Sequence, residues 1–189
     1  MTSAMQPASH LTKALRISVH GMVQGVGFRP FVFRLAHRHG LAGTVSNNGE
    51  GVVIHVGGPS AALEAFVAAL EIEAPPVARI NRIEIQAADS VPEELSFRIL
   101  PSQAGMRPST QIAPDIAFCA DCLHEIMDPD NRRYRYPFTN CTNCGPRFTI
   151  VERIPYDRPH TSMRVFPMCE ACNREYHDPF DRRFHAQPN

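Results

Sequence analysis

Three Cys-x-x-Cys pairs, all lying between residues 119 and 172, constrain this chain more than any other feature, and they hold all six of its cysteines. Cys119-Ala-Asp-Cys122 is followed by Asp128-Pro129 and then Arg132-Arg133-Tyr134. Cys169-Glu-Ala-Cys172 is followed, at identical offsets, by Asp178-Pro179 and Arg182-Arg183-Phe184. This is an internal repeat. In the first copy Cys141-Thr-Asn-Cys144 adds two thiols, completing Cys-x2-Cys-x18-Cys-x2-Cys, a four-sulfur zinc spacing. Projecting the repeat puts the second copy's missing pair at positions 191 and 194, past Asn189. The second finger is therefore expected to be truncated and the chain to be a fragment of a longer protein.

Met1 to Thr12 lack the basic start and apolar run of a secretory signal, and read as a disordered tail. Thiols in such a chain are metal ligands or redox groups sooner than disulfides, which points to the cytoplasm. No thioredoxin-like βαβ pattern surrounds the pairs, which disfavours the redox reading. Two arrangements stay open, adjacent pairs sharing a zinc or the first pair joining the third. His177 and His185 are weaker ligand candidates, with a surface or hydrogen-bonding role as the default. Residues 115–189 are rich in proline and arginine and can bury little apolar area, so a structural metal has to staple them. A closed four-thiolate site leaves no position for a substrate. The Arg132-Arg133 and Arg182-Arg183 pairs read as solvated surface, with a domain contact or an anion-binding face as the alternative.

The first half has a different pattern. Leu15 to Val19 alternate as a half-buried strand does, and Val19-His-Gly-Met-Val-Gln-Gly-Val-Gly-Phe-Arg-Pro30 follows. Gly25 and Gly27 permit backbone angles closed to other residues, so successive amides of Val23, Gln24, Gly25, Val26, Gly27 and Phe28 can turn into one concavity. Pro30 suits a first helical turn, a helix N-terminus favours an anion, and Arg29 adds a forked permanent cation. The stretch reads as a phosphate cradle. A helix should run from it to Gly40, then strands over 43–47 and 52–56 around Asn48-Gly49. A second helix opens at Pro59-Ser60, a fourth strand carries Ile83, Ile85 and Ala87, and a short edge strand falls at 96–100. The order βαββαβ predicts an α+β, ferredoxin-like sandwich over residues 13–100, with two helices on one face of an antiparallel sheet. A turn-rich linker over 101–114 separates it from a small Cys-rich domain over 115–189.

Val23-Gln-Gly-Val-Gly-Phe-Arg29, with Asn47 downstream and Gly57-Gly58 closing the hairpin, closely resembles the signature of acylphosphatases. That resemblance implies the same fold and a metal-free hydrolysis of acyl phosphates. Arg29 would hold the phosphoryl group with the cradle amides, and Asn47 would position the attacking water. The second half, with Tyr136 to Phe148, Pro155 to Pro159 and Asp181 to Pro188, resembles the paired zinc fingers of HypF-type carbamoyltransferases. These mature [NiFe]-hydrogenases and carry an acylphosphatase-like domain at their N-terminus. The resemblance implies carbamoyl phosphate as substrate, a HypE-type protein as partner of the full-length protein and a role in making the cyanide-ligand precursor. Zinc at Cys119, Cys122, Cys141, Cys144, Cys169 and Cys172 would be structural.

Composition narrows the other classes. Formal charge is zero overall, and eight basic side chains meet eight acidic ones over residues 1–100, eleven meet eleven beyond. No basic field favours nucleic acid, and no apolar run reaches membrane-spanning length. A nucleotide P-loop is excluded because no Gly-Lys-Ser/Thr follows the glycines. A stand-alone acylphosphatase with an accessory zinc module, and a zinc-dependent interaction module without catalysis, are the competing readings.

Overall fold

The computed structural model describes residues 12–88, 96–102, 114–154 and 156–189. The expected tail lies outside the described residues but for Thr12, and most of the expected linker lies outside them too. Strand β1 (Thr12–Met22) runs into the cradle, which opens helix α1 (Phe28–Arg38). Strands β2 (Ala42–Asn47) and β3 (Gly51–Pro59) form a hairpin, followed by helix α2 (Ser60–Ile72) and strand β4 (Arg79–Ala87). Together they build a sheet ordered β4-β1-β3-β2, antiparallel throughout, with Ile17 paired to Ile54 and Val19 to Val52.

The edge strand expected near 96–100 is present as β5 (Phe97–Ile99), but it joins β2 in parallel and makes the sheet mixed. Strand β4 closes the other edge, which explains why Ile85 is half exposed although its spacing matches that of a buried face. The core is laid down by alternation in the sheet (Ile17, Val19, Val45, Ile54 and Val56) and by three- and four-residue steps in the helices. Phe28, Val32 and Leu35 face it from α1, and Leu63, Phe66 and Leu70 from α2.

The second half is held differently. Its α-helices are α3 (Ala120–Met127) and α4 (Glu170–His177), each starting directly after the first cysteine of its repeat. The repeat is kept in the backbone at a constant offset of 50. Cys119 and Cys169 cap the helices with nearly the same angles, and Arg135 and His185 both take positive φ (57° and 51°). Arg135 N–H donates to the Ile126 carbonyl at 2.9 Å, as His185 N–H does to that of Tyr176 at 3.0 Å. A cluster of Cys122, Cys141 and Cys144 stands where a hydrophobic core would otherwise be.

The two halves meet along the cradle. Phe33 of α1 packs edge-on against Phe180 at 5.5 Å, and Arg34 Nη1 donates to the Pro179 carbonyl at 3.2 Å. Helix α2 tests where the stability of the first half resides. Phe66→Ala should cost about 3–5 kcal/mol in denaturant unfolding, as a fully buried aromatic leaves a cavity. Ile72→Ala, on the same helix but 83% exposed, should cost less than about 0.5 kcal/mol.

Candidate functional site

Gly25 and Gly27 both lie in the left-handed region, at φ 72° and 74°, and Gly27 is the N-cap of α1. Two such residues either side of Val26 curl the main chain toward one point, and the first-turn amides of α1 have no partner within their own helix. Pro30 falls in that first turn, where a missing N–H costs nothing. Arg29 is the second helical residue and only 8% exposed. The side chains of Val26 and Phe28 are buried in the core, so a cradle of main-chain atoms is built on apolar anchors.

Gln24 contributes in another way. Its Nε2 donates to the carbonyls of Asn48 at 2.8 Å and Gly51 at 3.0 Å, tying the cradle to the β2–β3 turn. The Asn48 side chain closes that turn by accepting from the amides of Glu50 and Gly51. Asn47, the last residue of β2, is 2% exposed, and its side-chain oxygen has no hydrogen-bond partner among the described residues. A buried amide oxygen left open in this way is costly unless something fills it.

The cradle is roofed by the second half. A β-carbon on Gly27 would come within 2.6 Å of the Thr142 Cβ, and one on Gly25 within 3.0 Å of the Tyr156 ring. Val23, Gly25, Gly27, Phe28 and Arg29 line a cavity of about 30 Å³ with Thr142, Tyr156 and His185; Gln24, Val26 and Asn47 do not line it. Arg29 also borders a wider groove of about 570 Å³, shared with Phe33, Ser102, Asp157 and His185. Three long contacts ring its guanidinium. Nη2 lies 3.4 Å from Asp157 Oδ1 and 3.4 Å from His185 Nδ1, and Nη1 is 3.5 Å from Ser102 Oγ. None of these satisfies the cation as a close bidentate carboxylate would.

His185 stacks between Phe184 (4.0 Å) and Tyr176 (5.0 Å). Burial first, then the Arg29 cation, push its pKa down to about 4; Asp157 pulls the other way, and His177 adds a smaller lowering. The ring is therefore neutral at pH 7 and can accept from Arg29.

Cys119, Cys122, Cys141 and Cys144 place their sulfurs within 4.8 Å of one another. Sγ–Sγ separations are 3.6 Å (119–141), 4.0 Å (141–144) and 3.9 Å (122–144). A tetrahedral zinc with bonds of about 2.3 Å requires edges of about 3.8 Å, so the donor set fits that ion. Adjacent pairs share the site, and the interleaved arrangement is not adopted. Cys169 and Cys172 stand apart as a separate pair. Neither His177, which contacts the Asn173 carbonyl, nor His185 joins a metal group among the described residues.

The surface reading of the arginine pairs is corrected for Arg133 and Arg183, which are buried against glutamates of the opposite repeat, while Arg132 is exposed as expected and Arg182 is partly buried. Sequence reasoning also missed Thr142, Tyr156 and Asp157 at the cradle. Asp157 and His185 stand 128 and 156 residues from Arg29, with no local periodicity to announce them.

Residues 15–99 match the acylphosphatase family, and residues 118–151 and 168–189 match the HypF finger. The chain belongs to the acylphosphatase family, with HypF fingers joined behind. An acylphosphatase of Azorhizobium caulinodans is 39% identical over 90 residues, which are 47% of this chain and 96% of that protein. Carbamoyltransferase HypF of Rhodobacter capsulatus is 53% identical over 178 residues, covering 93% of this chain and 23% of the relative. The chain thus spans less than a quarter of the length of the HypF proteins it matches. A crystal structure of full-length HypF in its phosphate- and nucleotide-bound form superposes with a TM-score of 0.84 at 50% identity, over 94% of this chain and 23% of that one. Among the described residues no helix is long and apolar enough to cross a membrane.

The buried imidazole makes a pH prediction. A folded pKa of about 4 lies below the unfolded value near 6.5, so the unfolded chain binds the extra proton between them. His185 therefore contributes fully above about pH 6.5, and on the order of 2–3 kcal/mol is lost as pH falls toward 4. With zinc saturating, unfolding free energies measured from pH 7 to 4 should fall less steeply in His185→Gln than in the wild type. Parallel curves would remove the imidazole from the account.

Proposed function

We propose that this chain hydrolyses acyl phosphates at the cradle, with carbamoyl phosphate as substrate. In the cytoplasm it would do so as part of a carbamoyltransferase that supplies the cyanide-ligand precursor during [NiFe]-hydrogenase maturation, with a HypE-type protein as acceptor of the carbamoyl group. The observation that carries this reading is Arg29, buried on the first turn of α1 behind two left-handed glycines, its nearest carboxylate among the described residues being Asp157 in a single contact of 3.4 Å.

In this reading the cradle amides and the guanidinium hold the phosphoryl oxygens and offset the charge that grows on them during transfer. The Asn47 side chain, with its open oxygen, orients a water for in-line attack. A new phosphorus–oxygen bond forms to that water, the bond to the acyl oxygen breaks, and a carboxylate (carbamate, from carbamoyl phosphate) leaves with orthophosphate, which keeps the protons of the water. The leaving carboxylate is a weak base, so the site needs no strong general acid. Zinc at the four thiols would hold the roof in place and take no part in the step. The HypF relatives and the finger region support the carbamoyl assignment.

Acetyl and carbamoyl phosphate turnover by the whole chain tests the proposal. Arg29→Lys should lower kcat/KM about 100- to 1000-fold, because a point charge cannot reproduce the fork. Asn47→Ala should lower kcat while leaving inhibition by inorganic phosphate nearly unchanged. Near wild-type turnover in Arg29→Lys would eliminate the mechanism. Phosphate binding without any turnover in the wild type would leave a purely anion-binding module.

Asp157 shares Nη2 of Arg29 with any bound phosphoryl group, and its own charge repels that group. Asp157→Asn should lower both KM for acetyl phosphate and the inhibition constant of phosphate, by roughly 3- to 10-fold. An increase in both would instead make Asp157 a residue that orients the guanidinium.

A further inference from the structure

The two finger repeats are crossed. Arg182, in the second repeat, donates from Nη1 to Cys122 Sγ of the first at 3.2 Å, while its Nη2 reaches Glu125, one helical turn along α3. Arg183 beside it also reaches Glu125, and donates to the carbonyl of Asn140, the residue before Cys141. The first repeat returns the pattern at the same offset of 50. Arg133 Nη2 lies 3.7 Å from Cys172 Sγ and Arg132 Nη1 lies 3.9 Å from Cys169 Sγ, and both arginines pair with Glu175 on α4.

We propose that Arg182 is a positioning residue for zinc at Cys119, Cys122, Cys141 and Cys144, so that each repeat supplies the outer shell of the other's cysteines and the two form one metal-dependent unit. Four thiolates around a divalent ion leave a net charge of −2 in a largely buried site. Two guanidiniums face it, Arg182 at Cys122 and Arg147, whose Nη2 lies 3.6 Å from Cys144 Sγ. Both stay protonated at any pH the protein tolerates, so their charge is permanent. An N–H aimed at a thiolate stabilises the ligating form and fixes where the sulfur lone pairs point, the usual work of groups behind a metal's direct ligands.

Arginine suits the position because one planar fork can serve sulfur and carboxylate together, which an ammonium cannot. Glu125 in turn locks the fork, standing three residues after Cys122 on the same helix. Metal at the first site therefore orders Arg182 and Arg183, and through them the second repeat.

The test uses the whole chain loaded with zinc or with cobalt(II). Arg182→Ala removes no ligand, yet should weaken zinc about 10- to 100-fold in competition with a chromophoric chelator. The sulfur-to-cobalt charge-transfer band should move to lower energy, because a sulfur without its N–H partner gives up electrons more readily, while the tetrahedral d–d bands persist. Arg182→Lys should recover part of the affinity. If Arg182→Ala does not fold, Glu125→Gln, which keeps every cation and ligand, must move the band in the same direction. Chelation of zinc should cost hydrogen-exchange protection in residues 170–189 together with 119–144.

An ordinary ion pair would lower stability and leave the cobalt spectrum as it was. Unchanged affinity and spectrum in Arg182→Ala would overturn the proposal. So would a second repeat that keeps its protection after chelation.

Discussion

Four sulfurs within 4.8 Å of one another are the point from which the second half of this chain hangs. Little apolar mass is gathered there, and the residues between the thiols are turns rather than long helices. With Cys141 and Cys144 beside Cys119 and Cys122, the segment from Cys141 to Pro146 lies against the first half. Thr142 then sits over Gly27 and Pro146 over Gly25. The Thr142 amide also donates to the Arg182 carbonyl at 2.8 Å, so the same loop reaches the second repeat. The four-thiol cluster thereby shapes the wall of the cradle.

That wall changes the character of the site. Two of the groups at the Arg29 guanidinium, Asp157 and His185, come from the second half. Under the fingers Arg29 is buried, and a buried cation needs an anion or strong acceptors close by. The protein supplies weak ones, a carboxylate, a neutral imidazole and a hydroxyl, each at 3.4 or 3.5 Å. They hold the guanidinium in place without a close bidentate partner. In the proposed reaction the wider groove along Phe33 and Ser102 is the path by which a phosphoryl group would reach the cation.

Much of this was legible beforehand wherever a residue's role depends on its neighbours in sequence. The two glycines, Arg29 and Pro30 announce a strand-to-helix turn able to hold an anion, because backbone angles and helix-end amides are local properties. Alternation in β1 and β3 and helical steps in α1 and α2 announce the sandwich for the same reason. The cysteine spacing announced a four-sulfur site, since tetrahedral coordination asks for four donors whatever surrounds them. The parallel setting of β5 was not legible, as three residues of strand carry no signal of direction. Nor was the burial of Arg133 and Arg183. An arginine that pairs with a glutamate fifty-eight residues away has the same local sequence as one in water.

By itself, then, the amino-acid sequence determined the elements, the cradle and its arginine, the asparagine at the end of β2, and the number and type of thiols. Tertiary structure alone decided which cysteine pairs converge, that the repeats trade arginines, and that Asp157 and His185 stand at Arg29. The division has a physical cause. Helix, strand, turn and ligand chemistry are set by side chains a few residues apart, whereas burial and charge pairing depend on which surfaces meet, and only the folded chain brings those surfaces together.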